Sequence, residues 1–208
     1  MQRKISLYGL VLVCILLAGA FYGCTGKETD TADFTFHSAV WGMTREEVQN
    51  IAGLSGTAAE NGPNVIVENT EYMGVKVTAG LSFDDNEDST TYGLYQIVLK
   101  YQDEDEQTLI TSMERVYGER KSSFNDKNGM ENPISPAGWV SSETLEEALS
   151  EKEIEKLKEL YPNVEKTRMD AVLRQPLVKI TLSEEENIVT FSGSAASTAA
   201  SLKRSVTE

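Results

Sequence analysis

Val75-Lys76-Val77-Thr78-Ala79-Gly80-Leu81-Ser82-Phe83 places an apolar side chain at every odd position, with Lys76, Thr78 and Ser82 between them. Successive side chains of an extended strand point to opposite faces, so this run describes a strand with one buried and one wet face. Such strands belong to antiparallel sheets, whose second face tolerates water. The strand is read over 72–83, with a short strand at 65–67 before it. After the polar stretch 84–91, positions 94–101 repeat the pattern with Tyr95, Ile97, Leu99 and Tyr101 on one face. Two alternating strands around a polar connection make a hairpin.

Upstream, Trp41-Gly-Met-Thr44-Arg-Glu-Glu47 reads as a corner followed by a helix start. Thr44 is placed as N-cap, and Glu47 three residues on completes a capping box. Val48, Ile51 and Ala52 supply one apolar stripe, and Gly53 is the stop. Trp41 is expected in the core and His37 on the surface. Downstream, Leu109, Ile110, Met113, Val116 and Tyr117 recur with helical period, so a helix over 106–118 ends at Gly118. The acids at 103–106 suit its positive end.

Residues 119–141 contain Asn132-Pro133 and Ser135-Pro136 and read as a long loop, with Trp139 as a contact or closure residue that anchors it. A helix over 142–161 follows, in one piece or two, with Ser150 and Glu153 as a second capping box. Strands are expected at 168–175, 177–182 and 188–191, with a turn at 184–187. Pro176 marks an edge or bulge. The small, polar end at 193–208 reads as a disordered tail, with a short helix from Ala195 as the alternative. The expectation is therefore an α+β fold: an antiparallel β-sheet with two to four helices packed mainly on one face. The domain plan is a signal at 1–23, a tether at 24–33, one domain at 34–192, and the tail.

The signal reading rests on Arg3 and Lys4 ahead of an apolar run from Ile5 to about residue 22, with small residues Ala18, Gly19, Ala20 and Gly23 at its end. Gly23-Cys24 then matches the cleavage site of a bacterial lipoprotein signal, which makes Cys24 the lipidation residue. Secretion with a cut after Ala20 and retention as a membrane anchor are the alternatives. Two or more acyl chains, at about 0.8 kcal/mol per buried CH₂, hold a protein stably on a bilayer where one chain does not. The expected place is the outer face of the bacterial cell membrane, and the expected partners are that membrane and another envelope protein.

Nineteen Lys+Arg against 33 Asp+Glu leave a formal charge of −14, a field that repels nucleic-acid phosphates. Cys14 lies inside the apolar segment, so the processed chain keeps Cys24 alone and forms no internal disulfide. With His37 as the one histidine, no Cys/His metal site is expected, and neither is a cofactor. Asp84, Asn86 and Asp88 stand at positions 1, 3 and 5 of a calcium loop. Ser89 replaces the sixth-position glycine and Tyr95 the twelfth-position glutamate, so a solvated hairpin tip is the better reading. Neither a Gly-x-Ser-x-Gly nor a His-Glu-x-x-His is present, and no catalytic residue is assigned. A hydrolase using Asp84/Asp85 or Glu184/Glu185 as acid and base is the alternative to a binding module.

Trp41-Gly-Met-Thr-Arg-Glu-Glu-Val48, Gly93-Leu-Tyr-Gln-Ile97, Val116-Tyr-Gly118, Trp139 and Val178-x-Ile180 together resemble a family of extracytoplasmic lipoproteins of Gram-positive bacteria. The arrangement is also similar to helix-plus-sheet modules such as the beta-lactamase inhibitor protein and the outer-membrane assembly lipoprotein SmpA/OmlA group. The resemblance spans roughly 34–192 and implies fold and location, with no catalytic residues. It implies a module that presents its sheet face and the 119–141 segment to partners.

Overall fold

A computed structural model describes residues 34–58, 64–86, 89, 91–126 and 128–207. The expected signal, the tether, Cys24 and Asp88 lie outside the described residues. Eight strands form one antiparallel sheet: β1 (Thr57–Ala58), β2 (Val65–Tyr72), β3 (Val75–Asp84), β4 (Gly93–Lys100), β5 (Lys121–Asn125), β6 (Glu131–Val140), β7 (Lys179–Ser183) and β8 (Ile188–Ser192). Their spatial order is β1-β2-β3-β4-β8-β7-β6-β5, so the chain builds two meanders that meet where β4 pairs with β8. Six α-helices accompany them among the described residues: α1 (Arg45–Gln49), α2 (Glu106–Tyr117), α3 (Leu145–Ala148), α4 (Glu151–Leu160), α5 (Lys166–Leu173) and α6 (Ser194–Thr207). The class is the expected α+β, with more helices than anticipated.

The alternation at 75–83 holds for the inward face and for its first wet positions: Val75, Val77, Ala79, Leu81 and Phe83 are buried and Lys76 and Thr78 face solvent, whereas Ser82, expected on the wet face, is buried. The 72–83 strand and the short strand at 65–67 are corrected, however, into a hairpin of β2 and β3. Its turn is Met73-Gly74, with φ of 50° and 86°. Both central residues of such a two-residue turn need positive φ, and methionine at the first is not a turn signal. Asn69, at φ 53°, sits in a bulge where the β2 register shifts between Val67 and Thr70. That extra residue turns Thr70 and Tyr72 inward. A second shift between Ser82 and Phe83 buries Leu94 and leaves Tyr95 half-buried, reversing the expected order at the start of β4.

The expected 119–141 loop is the hairpin of β5 and β6. Its turn is tied by Asp126, whose Oδ1 accepts from the Asn128 and Met130 amides at 2.9 Å each. Pro133 and Pro136 are compatible with a strand because β7 pairs only with residues 138–140. Both prolines therefore lie where β6 has a neighbour on one side alone. Segment 168–175, expected as a strand, forms α5 instead. Met169 and Leu173 are its buried residues, and a spacing of four satisfies both strand and helix periods.

The end of the chain is the largest correction. Residues 194–207 form helix α6, with Ala195, Thr198, Ala199 and Leu202 buried at helical spacing. Small residues lower mean hydropathy and resemble a tail, yet they also let a helix lie close against its support. That support is β4, α3 and α4, together with Gly42 in the Trp41-Gly42-Met43 corner. The Gly42 amide donates to the Leu94 carbonyl at 2.9 Å, and the Leu94 amide to the Met43 carbonyl at 2.7 Å. Arg204 of α6 donates to the Gly42 carbonyl at 2.9 Å, and the Trp41 indole to the Phe34 carbonyl at 3.0 Å.

Capping boxes start α1 at Thr44, α3 at Thr144 and α4 at Ser150, and Gly53 adopts φ 86° after α1. The buried faces of the helices join the inward side chains of the strands in one core.

Candidate functional site

A concavity of about 800 Å³ lies between the β5–β6 hairpin and the helical side of the domain. Phe34 and Tyr117 give it an aromatic wall, their ring centroids 4.9 Å apart, and Trp139 backs Tyr117 at 6.0 Å. The Tyr117 and Tyr72 hydroxyls are 3.1 Å apart. Burial, and then the proximity of Tyr117, raise the Tyr72 phenol far above its ordinary range, so it stays protonated. The opposite wall brings Lys121 from β5, Arg174 from the end of α5, and Ser142 and Thr144 from the approach to α3.

Three carboxylates line the groove, each bonded to its own surroundings. Glu131 accepts from the Ser123 hydroxyl at 2.6 Å. Glu147 accepts from the Thr144 amide and hydroxyl, both at 2.8 Å, as the second half of a capping box. Asp126 holds the hairpin turn and lies 4.0 Å from the Arg174 guanidinium. An aromatic wall, hydroxyls, two cations and three carboxylates give the groove a mixed, largely polar lining. Such mixed lining, with a few placed polar groups, is what small-molecule and peptide sites share.

Two further concavities flank it. An apolar cleft of about 280 Å³ opens between the helices, floored by Leu157 and Met169 and rimmed by Tyr161, Val164 and Val172. An open acidic depression of about 650 Å³ is lined by Glu114, Glu119, Glu184 and Glu185 around Arg120.

The residues singled out from sequence are scattered. Trp139 is 3% exposed, and its indole N–H donates to the Gly118 carbonyl at 2.7 Å, tying β6 to the end of α2. Asp84 accepts from the Asn86 amide and the Ser89 hydroxyl at 3.0 and 2.6 Å, so its carboxylate closes the 84–89 turn. Among the described residues, no group of three or more acidic, histidine or cysteine side chains converges as a metal site. Asp85 pairs with Arg45 at 2.6 Å and Glu184 with Arg120 at 2.5 Å. Of the two acid pairs, Glu184/Glu185 borders a depression. His37 adopts φ 49° and its ring lies 3.1 Å from the Thr70 hydroxyl.

The groove residues Lys121, Arg174, Ser142 and Thr144 were missed by sequence reasoning. They come from separate segments, and no short motif joins them. The one usable signal was Trp139, whose anchoring of β6 forms the groove wall.

Among the described residues no helix is long and apolar enough to cross a membrane. No protein-family model, curated protein or solved structure matches this chain.

Proposed function

We propose that the protein is a non-enzymatic binding module, held at the outer face of a bacterial cell membrane by lipid on Cys24. It takes a polar chain, from another envelope component, in the groove beside Phe34. The observation that carries this is the groove's own chemistry. Lys121 and Arg174, Ser142 and Thr144, and three carboxylates held by a turn, a cap and a hydroxyl contact line the same space as Phe34 and Tyr117, with Arg174 4.0 Å from Asp126. The sheet face and the 119–141 segment, both expected to meet partners, narrow in this reading to the inner side of the β5–β6 hairpin.

Two measurements test it. Mass spectrometry of the N-terminal peptide from the membrane fraction should find a diacylglyceryl thioether on Cys24. A chain beginning at residue 21 with no modification refutes the anchor. A photo-crosslinking amino acid at Ser123, on intact cells, should yield an adduct that one at Lys76 on the outer sheet face does not. Equal labelling at both, or none at Ser123, refutes the groove. A hydrolase would show itself differently, through loss of a turnover on envelope material in the Glu184→Gln and Glu185→Gln variants.

A further inference from the structure

Between the pairs Lys121↔Gly138 and Ser123↔Pro133, β5 advances two residues and β6 five. Extra residues on one strand bend it, so the far part of the hairpin leaves the line of the sheet. That far part supplies Ser123, Asn125 and Glu131 to the groove, opposite the Phe34–Tyr117 wall.

The hairpin is held at two places. Its root joins the sheet where Gly138, Trp139 and Val140 pair with Thr181, Ile180 and Lys179. Its tip meets the end of α5. In the amide orientation that matches donors with acceptors, the Asn128 Oδ1 accepts from Nε and Nη1 of Arg174, both at 3.1 Å. The same guanidinium lies 4.0 Å from the Asp126 carboxylate, whose side chain is 5% exposed and which ties the turn. A planar fork holds its acceptor by geometry as well as by charge. Arg174 is itself fixed, since its amide donates to the Asp170 and Val172 carbonyls at the end of α5.

Between root and tip little else holds the hairpin down. No described residue of 121–137 belongs to the core, and Ile134, although 3% exposed, is buried outside it. Segments with few buried apolar contacts open at a lower free energy than the core beside them. A two-stranded hairpin on its own is marginal in water, so a tip that detaches loses its ladder as well.

We infer that the β5–β6 hairpin is a strap over the groove, latched by the grip of Arg174 on Asn128 and Asp126. This rests on the groove reading above and adds how the site is entered. The strap lifts about its root at 138–140, the polar chain is laid in from the side, and the grip re-forms over it. A chain taken in this way needs no free end.

Amide hydrogen exchange of the full chain, resolved by segment, tests the strap. In the unaltered protein β5 and residues 131–133 should exchange at least tenfold faster than β7 and β8. Asn128→Ala removes the acceptor without changing the groove lining, to which Asn128 does not belong. It should speed exchange in the hairpin by roughly ten- to hundredfold, the range for a hydrogen bond to a charged group, and leave β3 and β4 as they were. Arg174→Ala removes both contacts and should act at least as strongly. Hairpin exchange at the rate of β7 and β8 in all three proteins overturns the strap, and so does equal acceleration of every segment in N128A.

Entry is read separately, with a photo-crosslinking amino acid at Ser123 in protein mixed with isolated bacterial envelopes and irradiated after increasing delays. N128A should reach its full adduct several-fold sooner than the protein with Asn128. Equal time courses overturn the strap as the way in. Accelerated exchange with no adduct from either protein refutes the groove as a binding site and leaves the strap standing.

Discussion

Replacing Gly193 by alanine tests how the two ends of the domain are joined. A Cβ built on Gly193 falls 2.2, 2.3 and 2.6 Å from three atoms of the Trp41 indole. The backbone is not free to step aside, because the Gly193 amide donates to the Tyr95 carbonyl and its own carbonyl accepts from the Ser197 amide, both at 2.8 Å. The indole is held too, by its bond to the Phe34 carbonyl. One methyl group therefore displaces either β8 or Trp41. Overpacking of this kind costs about 1–3 kcal/mol. Losing the indole altogether, by Trp41→Ala, costs about 3–5 kcal/mol and sets the upper limit. For a domain of this size each kcal/mol lowers Tm by about 2–4 °C, so Gly193→Ala should melt about 2–12 °C early. The double variant supplies the decisive comparison. With the indole gone the new methyl group has room, so W41A/G193A should be no less stable than W41A alone, a coupling of about 1–3 kcal/mol. Unfolding in urea followed by circular dichroism measures all four proteins. Additive losses, or an unchanged Tm for Gly193→Ala, would refute the close approach of Trp41 and Gly193.

Removing helix α6 by a stop after Gly193 should leave a chain without cooperative unfolding, whereas a disordered tail would be lost without effect. Within it, Leu202→Ala should cost about 2–5 kcal/mol, read from denaturant midpoints. Ser150→Ala should cost about 1 kcal/mol, since it removes the N-cap of α4 and leaves the Glu153 amide unbonded. Tyr101, 1% exposed, has its phenol pushed up to about 12, first by burial and then by Glu106 and Glu184. Its folded state thus holds a proton that the unfolded chain releases near pH 10, so stability is full below pH 10 and falls between about pH 10 and 12. Tyr101→Phe should flatten that decline by one proton in denaturant titrations across the range. An unchanged slope would show that Tyr101 does not report the loss.

What could be read early was what neighbours in sequence decide. The Thr44–Glu47 and Ser150–Glu153 boxes form because cap and partner are three residues apart. The alternation at 75–83 and the stripe at 109–113 survived for the same reason. Errors gathered where two periods or two compositions coincide. Met169 and Leu173 fit a strand and a helix equally, and the alanines and serines after Gly193 fit a tail and a closely packed helix. Pro133 and Pro136 read as breakers, although the absence of a second neighbour along that half of β6 makes them harmless. Of the groove, only the 119–141 segment could be singled out, since Phe34, Tyr117, Lys121 and Arg174 belong to four distant segments.

The Trp41-Gly42-Met43 corner shows the division between the two sources. By itself the sequence determined that a helix starts at Thr44, because a cap and its box satisfy backbone amides locally. It determined the buried face of β3 as well, because side-chain period and strand geometry are the same fact. Only the tertiary structure decided that this corner receives α6 on Gly42, the start of β4 at Gly93 and the end of β8 at Gly193. At these positions a side chain would meet another part of the chain, and at Gly42 and Gly93, both at φ 81°, the backbone conformation favours glycine as well. The groove and the apolar cleft follow the same rule: contacts between distant segments close them, and their energies depend on which pieces of chain arrive together.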